Sequence, residues 1–149
     1  MNEEDLDIFV QGVKNYFDQI ADEELSIGTA YLVSNAMPAA RDYTGVITIT
    51  GRYRGIVYFT APRALLERML VWLGEETVNE EFLTDLVGEV ANTIAGNARS
   101  ELGEEFEISV PFVVRGAPSE IALPRKDRSF VIPLSWRQQE AFIVISLVS

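Results

Sequence analysis

Apolar and polar residues repeat along this chain with two different periods, and each change of period marks an element. Leu6, Phe9, Val10, Val13, Phe17 and Ile20 recur at helical spacing, which predicts an amphipathic helix over residues 2–20 with Gly12 as its one weak position. Residues 21–24 form a polar connector. Residues 25–33 read as a strand, 34–42 as a loop with Pro38, and 43–50 as a second strand. In that second strand Val46, Thr48 and Thr50 share one side and Tyr43, Ile47 and Ile49 the other. Gly51, Arg52 and Tyr53 turn the chain, and residues 55–60 return as the second arm of a hairpin. Pro62 and Gly74 bracket a short helix, PRALLERMLVWL, with proline in its first turn and glycine just past its end.

The longest periodic run covers residues 79–102, NEEFLTDLVGEVANTIAGNARSEL. Leu83, Leu86, Val87, Val90, Ile94, Ala98 and Leu102 form one buried stripe. Asn79 is placed to cap the helix, Glu80 and Glu81 suit the positive end of its dipole, and Gly103 provides a stop. At about 100° per residue, Asp85, Glu89, Asn92 and Gly96 fall together on the opposite, solvent-facing side. Beyond it, 106–114 reads as a strand in which Pro111 argues for an edge or a bulge. Residues 115–128 read as a loop carrying Arg115, Arg125, Lys126 and Arg128. A strand over 129–136 contains Pro133, residues 137–139 turn, and 141–148 is apolar on both sides, as a central strand would be.

The order is αβββ-ααβββ. Strands in groups predict an α+β fold, one domain over 1–149, with helices packed on a largely antiparallel sheet. The two groups, each preceded by helix, hint at an internal duplication, although the halves share no evident residue identity. Phe9, Phe17, Tyr58, Phe59 and Trp72 fall on predicted core faces.

Composition narrows the chemistry. The chain has 149 residues, a net charge of −11, no cysteine and no histidine. A strongly acidic protein is repelled by nucleic acid and by anionic membranes, so neither is expected as a partner. No apolar run is long enough to span a bilayer, and the acidic N-terminus lacks the basic region of a signal peptide, so a cytoplasmic location is expected. Without histidine or cysteine, Ser-His-Asp and Cys-His nucleophilic schemes cannot be built. Catalysis has to use carboxylates, amides, hydroxyls or cations, or groups that a partner brings.

The lead constellation is Glu89-Val-Ala-Asn92, a carboxylate and a carboxamide that are neighbours on a helix surface. Gly96 stands beside them, mid-helix, where glycine costs about 1 kcal/mol relative to alanine. A flat spot beside two polar groups suits a docking surface, against the plainer alternative of an ordinary solvated face. Asp85 and Glu89 could hold a hard cation such as Mg²⁺, but no third protein ligand is evident. Asn97, at the border of the apolar stripe, reads as a structural amide bonded to a loop.

The segment EVANTIAGNARSEL, above all Glu89-x-x-Asn92 followed by Ala95-Gly96-Asn97-Ala98, resembles the signature helix of the CheC/CheX/FliY chemotaxis phosphatases. The order of elements and the length resemble CheX-like members most. The resemblance implies a phosphatase that hydrolyses the aspartyl phosphate of a CheY-type response regulator, with Glu89 and Asn92 as its catalytic pair. Glu89 would pair with a lysine of the regulator and fix the docking register, and Asn92 would orient the attacking water. Asp85, Thr93 and Gly96 would line the docking face. The chain would need no cofactor of its own, since Mg²⁺ would sit on the regulator. Residues 3–20 carry no Glu-x-x-Asn, which matches the single-site CheX pattern. The resemblance also implies a homodimer joined at sheet edges, for which Pro111 and Pro133 are obstacles. Two competing readings remain: a non-catalytic regulator-binding or motor-complex module of the same fold, and a metal-dependent hydrolase using Asp85 and Glu89.

Overall fold

The computed structural model describes residues 2–20, 24–34, 39–115 and 128–148. Along the chain the elements are α1 (Glu3–Ile20), β1 (Leu25–Ile27), β2 (Tyr31–Ser34), β3 (Tyr43–Gly51), β4 (Arg54–Ala61), α2 (Arg63–Trp72), α3 (Glu80–Leu102), β5 (Phe106–Ile108), β6 (Phe112–Arg115), β7 (Arg128–Trp136) and β8 (Gln139–Val148). The strands form one antiparallel sheet in the order β1-β7-β8-β4-β3-β5, with β2 also on β7 and β6 also on β3.

Two strands expected to be continuous are each broken in two, for the same reason. Residues 25–33 split around Gly28, and 106–114 split around Pro111. In the first case Ile27 pairs with Leu134 but Tyr31 with Val131, so the outer strand holds one residue more than its partner. In the second Ile108 pairs with Ile49 but Phe112 with Val46, the same excess. Each break is a bulge in an outer strand. Pro133 faces the first of them. Its carbonyl accepts from Gly28 N–H at 2.8 Å, so its missing N–H points to that side too and the β7–β8 ladder stays whole. Pro133 therefore sits on an interior strand and is tolerated because its neighbour bulges.

The matching registers make the sheet pseudo-two-fold about β4 and β8. Leu25↔Trp136 corresponds to Phe106↔Gly51, and Tyr31↔Val131 to Phe112↔Val46. The duplication hinted at by the element order is thus present in the topology. Each half lends its outer strands to the other, so α1 and α3 are equivalent helices. All three helices cover one face of the sheet, and the main core lies between. Phe9, Val13 and Phe17 of α1, Leu65, Leu66 and Met69 of α2, and the α3 stripe meet Ile47, Phe59, Trp136 and Ile143 there. A smaller cluster on the other face joins Val46, Tyr58, Val131, Phe142 and Val144. Trp72 departs from expectation. The buried face of α2 is Leu65, Leu66, Met69 and Leu70, and Trp72, in the last turn, is half exposed. The basic residues Arg125 and Lys126 lie outside the described residues.

Candidate functional site

Helix α3 is fixed at both ends and in the middle. At its start Asn79 Oδ1 accepts from Phe82 N–H at 2.9 Å, the cap read from the sequence. At its end Gly103 takes φ +98°, a conformation that favours glycine. Glu80 in the first turn gathers three partners. Tyr43 Oη donates to it at 2.7–2.8 Å, Arg63 at 2.5 Å, and Arg115 pairs at 3.4 Å. The Tyr43 hydrogen bond, with help from the two guanidinium groups, holds the Glu80 carboxyl below its usual range. Burial pushes the Tyr43 hydroxyl up, and its bond to Glu80 acts the same way. This clamp ties α2, β3 and β6 to the start of α3. In the middle, α3 lies on Gly45 of β3. A Cβ at Gly45 would stand 2.4 Å from the carbonyl oxygen of Val87, so the helix approaches this closely only because β3 has no side chain there.

The buried stripe is wider than the sequence suggested: Gly88, Ala91 and Ala95 are buried as well. The opposite face is as expected. Asp85, Glu89 and Asn92 are exposed, and Thr93 and Gly96 are half-buried beside them. A Cβ at Gly96 would meet nothing within 4 Å, so no packing inside the described structure requires glycine there. Neither Glu89 nor Asn92 has a hydrogen-bond or ion-pair partner among the described residues. No group of three or more His, Cys, Asp or Glu able to hold a metal occurs among the described residues. Asp85 and Glu89 therefore have no third carboxylate beside them for Mg²⁺ among the described residues. Asn97 differs from expectation: it is exposed and faces α1, where a Cβ at Gly12 would lie 3.7 Å from its own. Its place borders a polar groove of about 800 Å³ between α1 and α3, lined by Gln11, Lys14, Asn15 and Ser100 among others.

Two groups escaped the sequence reading. One is the clamp, whose members come from four separate elements. The other is Tyr16 of α1, half-buried against the main core. Burial, and then the charge of Glu89, push its hydroxyl up to about 12. Nothing in the periodicity of α1 shows that this residue feels the charge of Glu89. The only hint is that Tyr16 flanks the apolar stripe between Val13 and Phe17.

Comparison with known proteins agrees with this architecture. A family model described as chemotaxis phosphatase CheX matches residues 43–135. The chain belongs to the CheX family. The matched segment runs from the first residue of β3 to the penultimate residue of β7 and includes all of α3. A CheC-like superfamily protein from Shewanella sp. PV-4 is 30% identical over 100% of both chains, with a TM-score of 0.79. The chemotaxis protein CheX from Vibrio vulnificus is 30% identical over 97% of this chain and 99% of its own, with a TM-score of 0.76. The solved CheX–CheY–BeF3–Mg²⁺ complex from Borrelia burgdorferi is 17% identical over 97% of each chain and shares the fold at a TM-score of 0.81. No curated protein sequence matches the chain. No described helix is long and apolar enough to cross a membrane.

Proposed function

We propose that this CheX-family chain accelerates hydrolysis of the aspartyl phosphate on a CheY-type response regulator, acting from the exposed face of α3. The observation that carries the reading is the state of Glu89 and Asn92. Both are exposed on a rigidly held helix, with no partner among the described residues, beside a glycine that internal packing does not require. A polar pair left free on a well-anchored helix suits a site completed by another molecule.

Hydrolysis needs a water in line with the bond between phosphorus and the aspartyl oxygen. Water forms a new bond to phosphorus, the old bond breaks, the aspartate leaves as a carboxylate, and the water proton ends on the phosphate. This chemistry rests on positioning and charge stabilisation more than on a strong base. The Asn92 amide offers one acceptor and two donor hydrogens, enough to hold the water and a neighbouring oxygen together. Glu89, one turn earlier, pairs with a cation of the regulator and sets the register. Asp85 extends the acidic docking face, Thr93 borders it, and Gly96 lets the partner's backbone come close. Mg²⁺ belongs to the regulator, as the named components of the Borrelia complex suggest.

The chain is proposed to act in the cytoplasm as one domain and as a homodimer joined through outer strands. Tyr31 and Leu32 on β2 and Phe112 on β6 are exposed large apolar residues at the two sheet edges and support that assembly. Light scattering tests it, and a monomer at micromolar concentration contradicts it. The test of the activity is phosphate release from a phosphorylated regulator with and without the protein. Acceleration over the regulator's own decay supports the reading. Binding without acceleration points to a non-catalytic module.

A further inference from the structure

Helices α1 and α3 are equivalent under the pseudo-two-fold, and their buried positions repeat across it. Counting back from Leu25 and from Phe106, Phe9, Val13 and Phe17 correspond to Val90, Ile94 and Ala98, all buried. On the same count Gly12 corresponds to Thr93 and Tyr16 to Asn97. Asn97 approaches Gly12, and the same count sets Tyr16 opposite Thr93. At the Gly12 end both residues are small and the groove of about 800 Å³ stays open. The residue equivalent to Asn97 is Tyr16, whose ring is packed on the core and edge-on to Phe17 at 5.1 Å between centroids. Glu89 lies one turn before Thr93.

We propose that the Tyr16 hydroxyl is a second docking group, which receives the same cation of the partner regulator that Glu89 pairs with. This rests on the docking role given above to Glu89. A lysine ammonium has three hydrogens to donate. Glu89 supplies a charged acceptor, and the phenol supplies a neutral one without adding a second negative charge to repel the first. A phenol is already protonated in the physiological range, and burial, then the Glu89 charge, push this one further up. Among the described residues its oxygen has no hydrogen-bond partner, so it is available to a partner. Docking thereby extends from α3 onto α1, and Tyr16 on α1 contributes although that helix carries no Glu-x-x-Asn.

The experiment measures the Kd of a beryllofluoride-activated CheY-type regulator for wild type, Tyr16→Phe, Glu89→Gln and the double variant. Thermal unfolding checks that Tyr16→Phe, which keeps the ring, leaves the fold intact. Tyr16→Phe is expected to weaken binding about tenfold, as for one lost hydrogen bond to a charged group. Its turnover at saturating regulator should stay within about twofold of wild type. In the Glu89→Gln background the effect of Tyr16→Phe should shrink to about twofold or less, because the two groups share one partner cation. If Glu89→Gln weakens binding while Tyr16→Phe does not, or if the two effects simply add, the Tyr16 proposal is overturned and the Glu89 reading stands. If Glu89→Gln leaves Kd unchanged, the Glu89 reading fails and the shared-cation proposal fails with it.

Discussion

Replacing Gly96 by alanine separates what the fold needs at this position from what the partner needs. The residue is mid-helix on α3, and an added Cβ meets nothing within 4 Å. Nothing within the described structure therefore opposes a methyl group, and helix propensity favours it by about 0.8–1 kcal/mol. For a chain of this size that amounts to a rise of roughly 2–4 °C in Tm. The same methyl would stand on the face shared with Glu89 and Asn92. If the regulator's backbone packs there, one extra carbon in a close contact costs roughly 1–3 kcal/mol, the usual range for overpacking. That corresponds to a loss in kcat/KM of roughly five- to 150-fold. Stability and activity should thus move in opposite directions. Differential scanning calorimetry and a phosphate-release assay on the same preparation read both. A Tm that falls would refute the account of Gly96 as internally unconstrained. A Tm that rises with unchanged kcat/KM would place Gly96 outside the docking face.

Gly45→Ala should behave in the reverse sense to Gly96→Ala. Its Cβ would stand 2.4 Å from the Val87 carbonyl oxygen, so α3 must move off the sheet, and chemical denaturation should show a loss of at least about 1–3 kcal/mol. The Glu80 clamp should appear in the acid limb of the stability profile. Because the folded state holds this carboxyl below its unfolded value of about 4.3, its contribution is complete above that pH and is lost as pH falls through the lower folded value. Wild type should therefore lose Tm more steeply than Glu80→Gln between about pH 5 and pH 2, and parallel curves would contradict the clamp. At pH 7 Glu80→Gln should keep its phosphatase activity per folded molecule, since the residue lies away from the Glu89 and Asn92 turns.

Much of the molecule was legible in the pattern of the chain, and the gaps have physical causes. α3 was readable in full because a stripe, a capping asparagine and a stop glycine agree over 23 residues. The hairpin of β3 and β4 was readable because alternation and turn chemistry coincide. The two outer strands were read as continuous because a bulge adds one residue without disturbing alternation on either side. Only the register against β7 and β3 exposes it. Trp72 was assigned to the core because a short helix gives too few turns to fix where its buried face ends. In the site, Asp85, Glu89, Asn92 and Gly96 could be placed together because one helix carries them all. Tyr16, Glu80, Tyr43, Arg63 and Arg115 could not be grouped, because tertiary contacts between separate elements bring them to their partners. Asn97 went astray for the same reason: its neighbour across the groove is Gly12, on a different helix.

The central claim is that Asn92 acts on the phosphoryl group while Glu89 holds the partner. The most direct test is single-turnover dephosphorylation of a phosphorylated CheY-type regulator by wild type, Asn92→Ala and Glu89→Ala, with Kd measured on the same variants. Asn92→Ala should lower the maximal rate by roughly 100-fold or more, the loss typical of a positioned amide donor, with Kd changed less than about threefold. Glu89→Ala should mainly raise Kd. Full activity in Asn92→Ala, at unchanged Kd, would contradict the account.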